Sequence, residues 1–262
     1  AAHINLPDAK ARYDFEPSVT REYLNIWNNN RQQAELDPND TGSILVIEDI
    51  TQTEYDTVKK LQNALLGTKK RPSYLGKTFG KFICDEKRLQ IFVNGQKVQP
   101  HDPTMLGESN VRCVYDGSFH AKINGQVEHV GRIVITEIPL ELRNYSDDIG
   151  ISVYKEGRLM TVDKTFFGII QTKSPYDAAS LRISVELDSK NFNKLFQVSS
   201  SKNSFQNISS SEDFSNFFRD KYWKPYGRPV INKYQEEMKQ RKQEKMEAQL
   251  AKWITNLHST SN

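Results

Sequence analysis

The middle of the chain alternates apolar and polar residues, as the strands of a half-buried sheet do. The alternation runs over residues 151–153 and returns over residues 183–187. Because side chains two positions apart in a strand point to the same face, each run has one apolar face for a core. Two more alternating regions turn at Asn94-Gly95 and at Asn124-Gly125, and this dipeptide is the strongest short signal for a hairpin. The pattern predicts antiparallel hairpins that join in a sheet.

Apolar side chains three and four residues apart predict a helix after the strands. Phe214, Phe217, Phe218 and Tyr222 lie at i, i+3, i+4 and i+8, which places their rings on one face of a helix, toward a core. Residues 223–229 then contain two prolines and a glycine. These residues interrupt helices, so the pattern predicts a break there.

The last region predicts one long helix, because residues 230–257 contain neither proline nor glycine and are rich in helix formers. Its apolar stripe is narrow and is interrupted at Lys242. Such a stripe suits a helix that docks along one side of a domain or pairs with another helix. Together the elements predict an α/β fold: a mixed, mostly antiparallel sheet with helices mainly on one face, and a long C-terminal helix.

Composition indicates a globular chain without an obvious nucleic-acid partner. Hydrophobic residues make up 37% and charged residues 26%, and the net charge of +3 is too small to indicate nucleic acid by itself. Cys84 and Cys113 form no CxxC pair, so they indicate neither a disulfide framework nor a zinc site, and packed, reduced thiols are expected. No signal peptide and no apolar run of about 18 residues occurs. These features predict a soluble, intracellular protein, cytoplasmic in a bacterium or nuclear in a eukaryote.

Three stretches of the chain resemble a known family. They are GISVYKEGRLM at residues 150–160, LRISVELD at 181–188 and LFQVSSSKNSF at 195–205. Their order of strands and turns resembles the transducer domain of the gyrase, heat-shock chaperone, histidine kinase and MutL (GHKL) ATPases, nearest to the microrchidia-like and heat-shock-chaperone-like members. The resemblance extends from about Thr41 to Tyr226. It implies the ribosomal-protein-type fold of that domain and a role in relaying ATP binding to dimerisation and to a client.

The resemblance assigns a phosphate contact to one lysine. In the family, the loop after the last of these strands supplies a basic residue to the γ-phosphate of ATP held in the preceding domain, and the matching residue is Lys202. Gln171-Thr172-Lys173 matches the QTK stretch of the gyrase-like members, so Lys173 is the alternative. A positioned ammonium stabilises charge on a transferred phosphoryl group. A lysine in a Ser-rich loop is also what an ordinary solvated side chain looks like.

The same resemblance divides the chain into three parts. Residues 1–50 are the tail of an ATP-binding domain or an N-terminal extension, residues 51–226 the transducer domain, and residues 227–262 a C-terminal helical extension. The chain contains no DxGxG, GxGxxG or P-loop sequence. ATP and Mg²⁺ are therefore expected only together with an upstream ATPase domain, and the chain alone is not expected to hydrolyse ATP.

The expected function is the transducer and coupling region of a GHKL-type ATPase. Its expected partners are the ATP-binding domain of the same protein, a second copy of the chain and DNA, and no membrane. Basic clusters at residues 69–71, 221–228 and 239–245 support DNA, but glutamates interleave with the last of them, as on a solvated helix face. The alternative is a non-catalytic interaction scaffold with the same fold, in which Lys202 is incidental.

Other polar residues give no site at this level. The five histidines lack metal-ligand spacing. Asp147 and Asp148 precede a strand, where turn chemistry explains them.

Overall fold

A computed structural model describes residues 57–68, 71–84, 89–143, 148–170, 178–198, 205–207 and 212–259, and four helical positions nearer the N-terminus, Asn25, Asn28, Asn29 and Gln32. For residues 197–198, 205–207 and 254–259 it describes the backbone alone. The described residues form two compact units. The first comprises those up to Gly76 together with Phe82–Pro100, and the second comprises Lys77–Lys81 and those from His101 onward.

Among the described residues from Val58 onward, three α-helices come before the first strand, and seven strands then follow one another before the next α-helix. The helices are α1 (Val58–Leu66), α2 (Tyr74–Thr78), α3 (Gly80–Cys84), α4 (Ser189–Leu195), α5 (Glu212–Phe218) and α6 (Arg228–Ser259), with a 3-10 turn at Leu140–Leu142 and a π-helix at Arg219–Gly227. The strands are β1 (Phe92–Val93), β2 (Gln96–Lys97), β3 (Arg112–Ile123), β4 (Gln126–Glu137), β5 (Gly150–Lys155), β6 (Arg158–Asp163), β7 (Leu181–Leu187), β8 (Phe196–Val198) and β9 (Phe205–Asn207).

The first unit contains α1 and the hairpin of β1 and β2. The hydroxyl of Thr57 accepts a hydrogen bond from the Lys60 amide at 3.2 Å. This cap satisfies an amide that has no partner inside α1. Asn94 and Gly95 form the hairpin turn with φ values of 49° and 75°, and a type I′ turn needs two positive values. The hairpin predicted at this dipeptide is confirmed.

Five strands of the second unit form one sheet in the order β3-β4-β7-β5-β6. Neighbouring strands are antiparallel except β5 and β7, which are parallel. Asn124 and Gly125 turn the chain between β3 and β4 with φ values of 50° and 81°, as predicted. The α/β fold is confirmed, with its mixed, mostly antiparallel sheet and its long C-terminal helix.

Strands β5 and β7 are buried on both faces, whereas their alternation predicts half-buried strands. The polar face carries Ser152 and Ser184, which share a register position and are both buried. A distant part of the sequence covers this face. The Lys81 ammonium forms an ion pair with Glu186 of β7 and lies 4.3 Å from the centre of the Tyr154 ring of β5. The predicted alternation is correct, but Ser152, Tyr154 and Ser184 of the polar side are buried, and only Glu186 stays partly exposed.

The apolar face of the sheet carries the hydrophobic core, and α4, α5, the π-helix and the start of α6 contribute to it. Phe214 and Phe218 of α5 are buried there, as their spacing predicts. Phe119 of β3 meets both rings edge-on, at centroid distances of 6.5 Å and 6.2 Å. Edge-to-face pairs stabilise beyond the area that they bury. The helix predicted from this spacing therefore forms and supplies much of the core.

The predicted break at residues 223–229 is wrong. The π-helix joins α5 to α6 without interruption, and Pro225 lies inside it. A proline inside an α-helix costs about 3 kcal/mol. Tyr222 and Trp223 of the π-helix are buried in the core, and burying an apolar side chain stabilises by roughly 1.5–3 kcal/mol. Tertiary packing therefore outweighs the local preference for a break.

The Tyr222 hydroxyl ties the π-helix to an irregular point of the edge strand β3. The pairing of β3 with β4 shifts register between Phe119 and His120. At this shift the hydroxyl accepts a hydrogen bond from the His120 amide at 2.7 Å and donates one to the Ser118 carbonyl at 3.1 Å. The tyrosine thereby satisfies two backbone groups of the edge strand.

Replacing Tyr222 by phenylalanine is expected to lower the free energy of unfolding by about 1–3 kcal/mol, because two partly buried hydrogen bonds of about 0.5–1.5 kcal/mol each are lost while the ring packing stays. Denaturant unfolding measures the change. Tyr226→Phe is the matched control, because the Tyr226 hydroxyl makes no hydrogen bond with the residues that the structure describes. Equal stability of Tyr222→Phe and the unmodified chain would contradict the assigned role.

Two expectations from composition have different outcomes. Cys84 and Cys113 are free but exposed, so the expectation of packed thiols is wrong; Cys113 lies near the exposed end of the edge strand β3. Within the part of the chain that the structure describes, no helix has both the length and the low polarity needed to cross a bilayer.

Candidate functional site

Both lysines assigned by the resemblance lie outside the described residues. Lys202 belongs to residues 199–204, which connect β8 to β9, and Lys173 belongs to residues 171–177, which follow β6 and precede β7. The candidate site is therefore built from the described residues that flank these two segments.

Strands β8 and β9 hold the two ends of the Lys202 segment side by side. They pair antiparallel, with Phe196 opposite Asn207 and Val198 opposite Phe205. Opposed Cα atoms of such a ladder lie about 5 Å apart. The described residues on the two sides of the segment are therefore neighbours.

The anchors of the two lysine segments contact each other in the core. Phe167 lies shortly before the Lys173 segment and Phe196 shortly before the Lys202 segment, and their ring centroids are 6.1 Å apart. Phe167 also meets Phe214 and Phe218 edge-on, each at 5.1 Å. A residue shortly before each candidate segment therefore belongs to one group of packed rings.

The turn that places Phe167 has an unusual backbone. Phe166 and Phe167 have φ values of 53° and 57°, a left-handed conformation that is a genuine outlier for bulky residues. Such positions cost on the order of 1–3 kcal/mol each. Both rings are buried, and the Asp163 carboxylate accepts the Phe167 amide at 2.6 Å and the Thr165 amide at 2.9 Å. Burial and these hydrogen bonds offset the strain and fix the turn.

The sheet topology brings this turn to the end where β5 and β7 begin. The last residue of β6, Asp163, pairs with Ile151 near the start of β5. Gly150, the first residue of β5, pairs with Arg182 near the start of β7. The strained turn and the residues directly before β5 and β7 therefore lie at one end of the sheet.

A buried carboxylate with two basic partners lies at this end. Asp148 precedes β5, and its side chain is 1% exposed. Its Oδ1 forms an ion pair with the Lys77 ammonium, and its Oδ2 lies 2.6 Å from Nε2 of His101. Burial alone raises the pKa of Asp148, but the His101 hydrogen bond and the Lys77 charge outweigh it, so the pKa lies below its ordinary value. Asp148 is therefore ionised at neutral pH.

A buried arginine lies close to this carboxylate. Arg182 is fully buried, and its Nη1 donates to the carbonyls of Ala179 and Leu181 at 2.8 Å and 2.9 Å. Burial lowers the pKa of Arg182 to about 10, against the favourable charge of Asp148, so the guanidinium remains charged at neutral pH. The nearby Arg143 lowers this pKa further.

Lys77, His101, Asp148 and Arg182 form a cluster of charged and polar side chains at this end of the sheet. In the described parts of the chain, no three His, Cys, Asp or Glu side chains are placed to hold a metal ion. The ion pair of Asp148 with Lys77 and its hydrogen bond with His101 tie residues that are remote in sequence to this end of the sheet.

Sequence reasoning missed the role of Asp148. Turn chemistry explains an aspartate before a strand, but the structure buries this one between basic groups. Lys77 and His101 are remote from Asp148 in the sequence, so no local spacing predicts the cluster. Arg182 gave no local signal either, because it alternates with apolar residues as a side chain on the solvent face of a half-buried strand does.

Comparisons of the chain with protein-family models, curated proteins and solved structures gave no match.

Proposed function

We propose that the chain is the transducer and coupling region of a GHKL-type ATPase, which senses ATP held in a preceding domain and relays it to dimerisation and a client, with DNA as the expected client. The observation that carries the proposal is the contact of Phe167 with Phe196. Phe167 and Phe196 shortly precede the segments of Lys173 and Lys202, the two lysines that the resemblance relates to ATP, so their contact supports the proposal.

In this proposal, Lys202 acts on the γ-phosphate from outside the nucleotide-binding domain. The ammonium stabilises negative charge that develops on the transferred phosphoryl group. Because it approaches only when the two domains close, hydrolysis depends on closure. Lys173 is the alternative source of this charge. The upstream domain supplies the ATP and Mg²⁺ sites, so this chain is part of an ATPase and has no hydrolytic activity alone.

The strained turn and the charge cluster support this role physically. A segment that must reach a neighbouring domain needs a rigid base, because a small misplacement of a catalytic group costs much of its effect. Phe166, Phe167 and the Asp163 hydrogen bonds provide such a base before the Lys173 segment. The buried ion pair of Lys77 with Asp148 adds to the rigidity of the same end of the sheet.

Affinity labelling tests this proposal in a protein that carries the ATP-binding domain ahead of Ala1. The probe is an ATP derivative with an acyl group on the γ-phosphate. A nearby lysine amine attacks the acyl carbon, an amide forms and ATP leaves, so mass spectrometry identifies lysines within reach. We expect acylation of Lys202, suppressed by excess ATP. Acylation confined to the ATP-binding domain, with Lys202 and Lys173 both unmodified, would contradict the proposal.

One observation favours the second candidate function, the non-catalytic interaction scaffold. Helix α6 carries large exposed apolar side chains, Met246, Leu250 and Trp253 among them, and such patches mark interaction sites. In the scaffold, Lys202 has no role in ATP turnover. Labelling that spares Lys202, together with partner binding through α6, would favour the scaffold over the transducer.

A further inference from the structure

Helix α6 leaves the fold after its first turns. Val230 and Ile231 are buried, whereas every residue from Met238 to Trp253 is exposed. At 1.5 Å per residue, the helix of 32 residues is about 48 Å long. Most helical stability in proteins comes from packing of an apolar face. An apolar face on the exposed part of α6 is therefore a candidate for packing against a partner.

The exposed part has a single apolar face. Met246, Leu250 and Trp253 are 59%, 59% and 62% exposed, and they follow one another at spacings of four and three residues. These spacings are those of consecutive d, a and d positions of a coiled-coil heptad. The a position that follows Leu250 is Leu257, and the a position that precedes Leu250 is Gln243. Farther toward the N-terminus, Lys239 takes a d position, so the apolar seam is confined to the last part of α6.

Charges flank this face asymmetrically. In the same heptad assignment Lys242 is a g position and Glu247 the following e position. Both are exposed, and Glu247 is kept near the seam by a hydrogen bond from the Gln243 amide at 2.9 Å. In a parallel pair of helices, g of one faces the following e of the other, so each Lys242 meets a Glu247. In an antiparallel pair, g positions face g positions. The g positions along this seam are Lys242 and Gln249, so Lys242 would face no carboxylate.

We propose that the last part of α6 forms a parallel two-stranded coiled coil with a second copy of this chain. Met246, Leu250 and Trp253 form the seam, and two symmetry-related Lys242–Glu247 pairs set the orientation. This association needs neither nucleotide nor an upstream domain, so it is tested separately from the proposed ATPase role.

A charge swap tests the partner and the orientation together, with the dimer dissociation constant of the full chain measured by sedimentation equilibrium. Lys242→Glu and Glu247→Lys each place like charges across the seam and are expected to weaken the dimer about tenfold. The double variant exchanges the two charges and is expected to restore the original affinity. Glu244→Lys, the same change of charge at the outward b position, is the matched control and is expected to leave the affinity unchanged.

Cysteine crosslinking tests the alignment independently. In a Cys84→Ser, Cys113→Ser background, Leu250→Cys lies beside its own copy only when two helices are parallel and in register. We expect oxidation to crosslink this variant into covalent dimers, and Ala248→Cys, on the opposite side of the helix, to remain monomeric. A monomeric chain at all concentrations, a double charge variant without rescue, or equal crosslinking at both positions would overturn the proposal.

Discussion

Replacing Asp148 by asparagine is expected to lower the free energy of unfolding by about 3–5 kcal/mol, the usual effect of removing one partner from a buried ion pair. Asparagine keeps the shape of the side chain but not its charge. Lys77 then stays near a buried site without its counter-ion, and His101 loses a charged hydrogen-bond partner. Denaturant unfolding at neutral pH measures the change.

Asp116→Asn is the matched control for this prediction. Asp116 forms an ion pair with Arg132 at 2.6 Å in the same sheet, but both side chains are exposed, and exposed pairs contribute about 0–1 kcal/mol. Equal losses in the two variants would contradict the buried role of Asp148.

The effect of Asp148 is also expected to depend on pH with a definite sign. The folded state holds its pKa below the ordinary 3.8, so the unfolded chain binds the proton more readily. The stabilisation is fully present above about pH 5 and is lost as the pH falls through the unfolded and then the folded pKa. The stability difference between the unmodified chain and Asp148→Asn should therefore shrink in acid. A difference that stays constant down to the acid transition would contradict the ion pair as its cause.

Local pattern predicted those parts of the fold that depend on local chemistry. The Asn-Gly turns, the alternation of β5 and β7 and the aromatic spacing of α5 each act over a few residues, and each predicted element is present. Patterns of this range cannot show what packs on a strand from elsewhere. Ser184 on the polar face of β7 is buried, and Lys81, far away in sequence, forms an ion pair with the partly exposed Glu186 of the same face; nothing near β7 in the sequence indicates these contacts.

The helix through residues 219–227 illustrates the same limit. Pro225 and Gly227 predict a break when only neighbours are considered. In the fold, Tyr222 finds its hydrogen-bond partners in Ser118 and His120 of the edge strand, and its burial helps to decide the local conformation. A preference worth a few kcal/mol yields to packing of similar size.

The candidate site was predictable only in part for a related reason. Lys202 and Lys173 come from a resemblance, and both remain predictions because they lie outside the described residues. What the structure adds is the contact of Phe167 with Phe196, which shortly precede the two segments, and the charges around Asp148. Both depend on which strands are neighbours in the sheet, and the parallel pairing of β5 with β7 does not follow from the alternation of either strand.

The second large effect is expected at Lys202. In a protein that includes the upstream ATP-binding domain, Lys202→Ala is expected to reduce ATP turnover about 100-fold or more, the scale on which loss of one charge-stabilising group acts. ATP affinity should stay nearly unchanged, because the upstream domain supplies the nucleotide site. Lys190 is an exposed lysine of α4. Lys190→Ala is the matched control and is expected to leave ATP turnover unchanged. Lys173→Ala, measured alongside, distinguishes the alternative source of the charge.

Single-turnover ATP hydrolysis by Lys202→Ala, with nucleotide binding measured in the same sample, tests the coupling role most directly. Lost hydrolysis with retained binding is the predicted result. Hydrolysis at the unmodified rate in both Lys202→Ala and Lys173→Ala would contradict it.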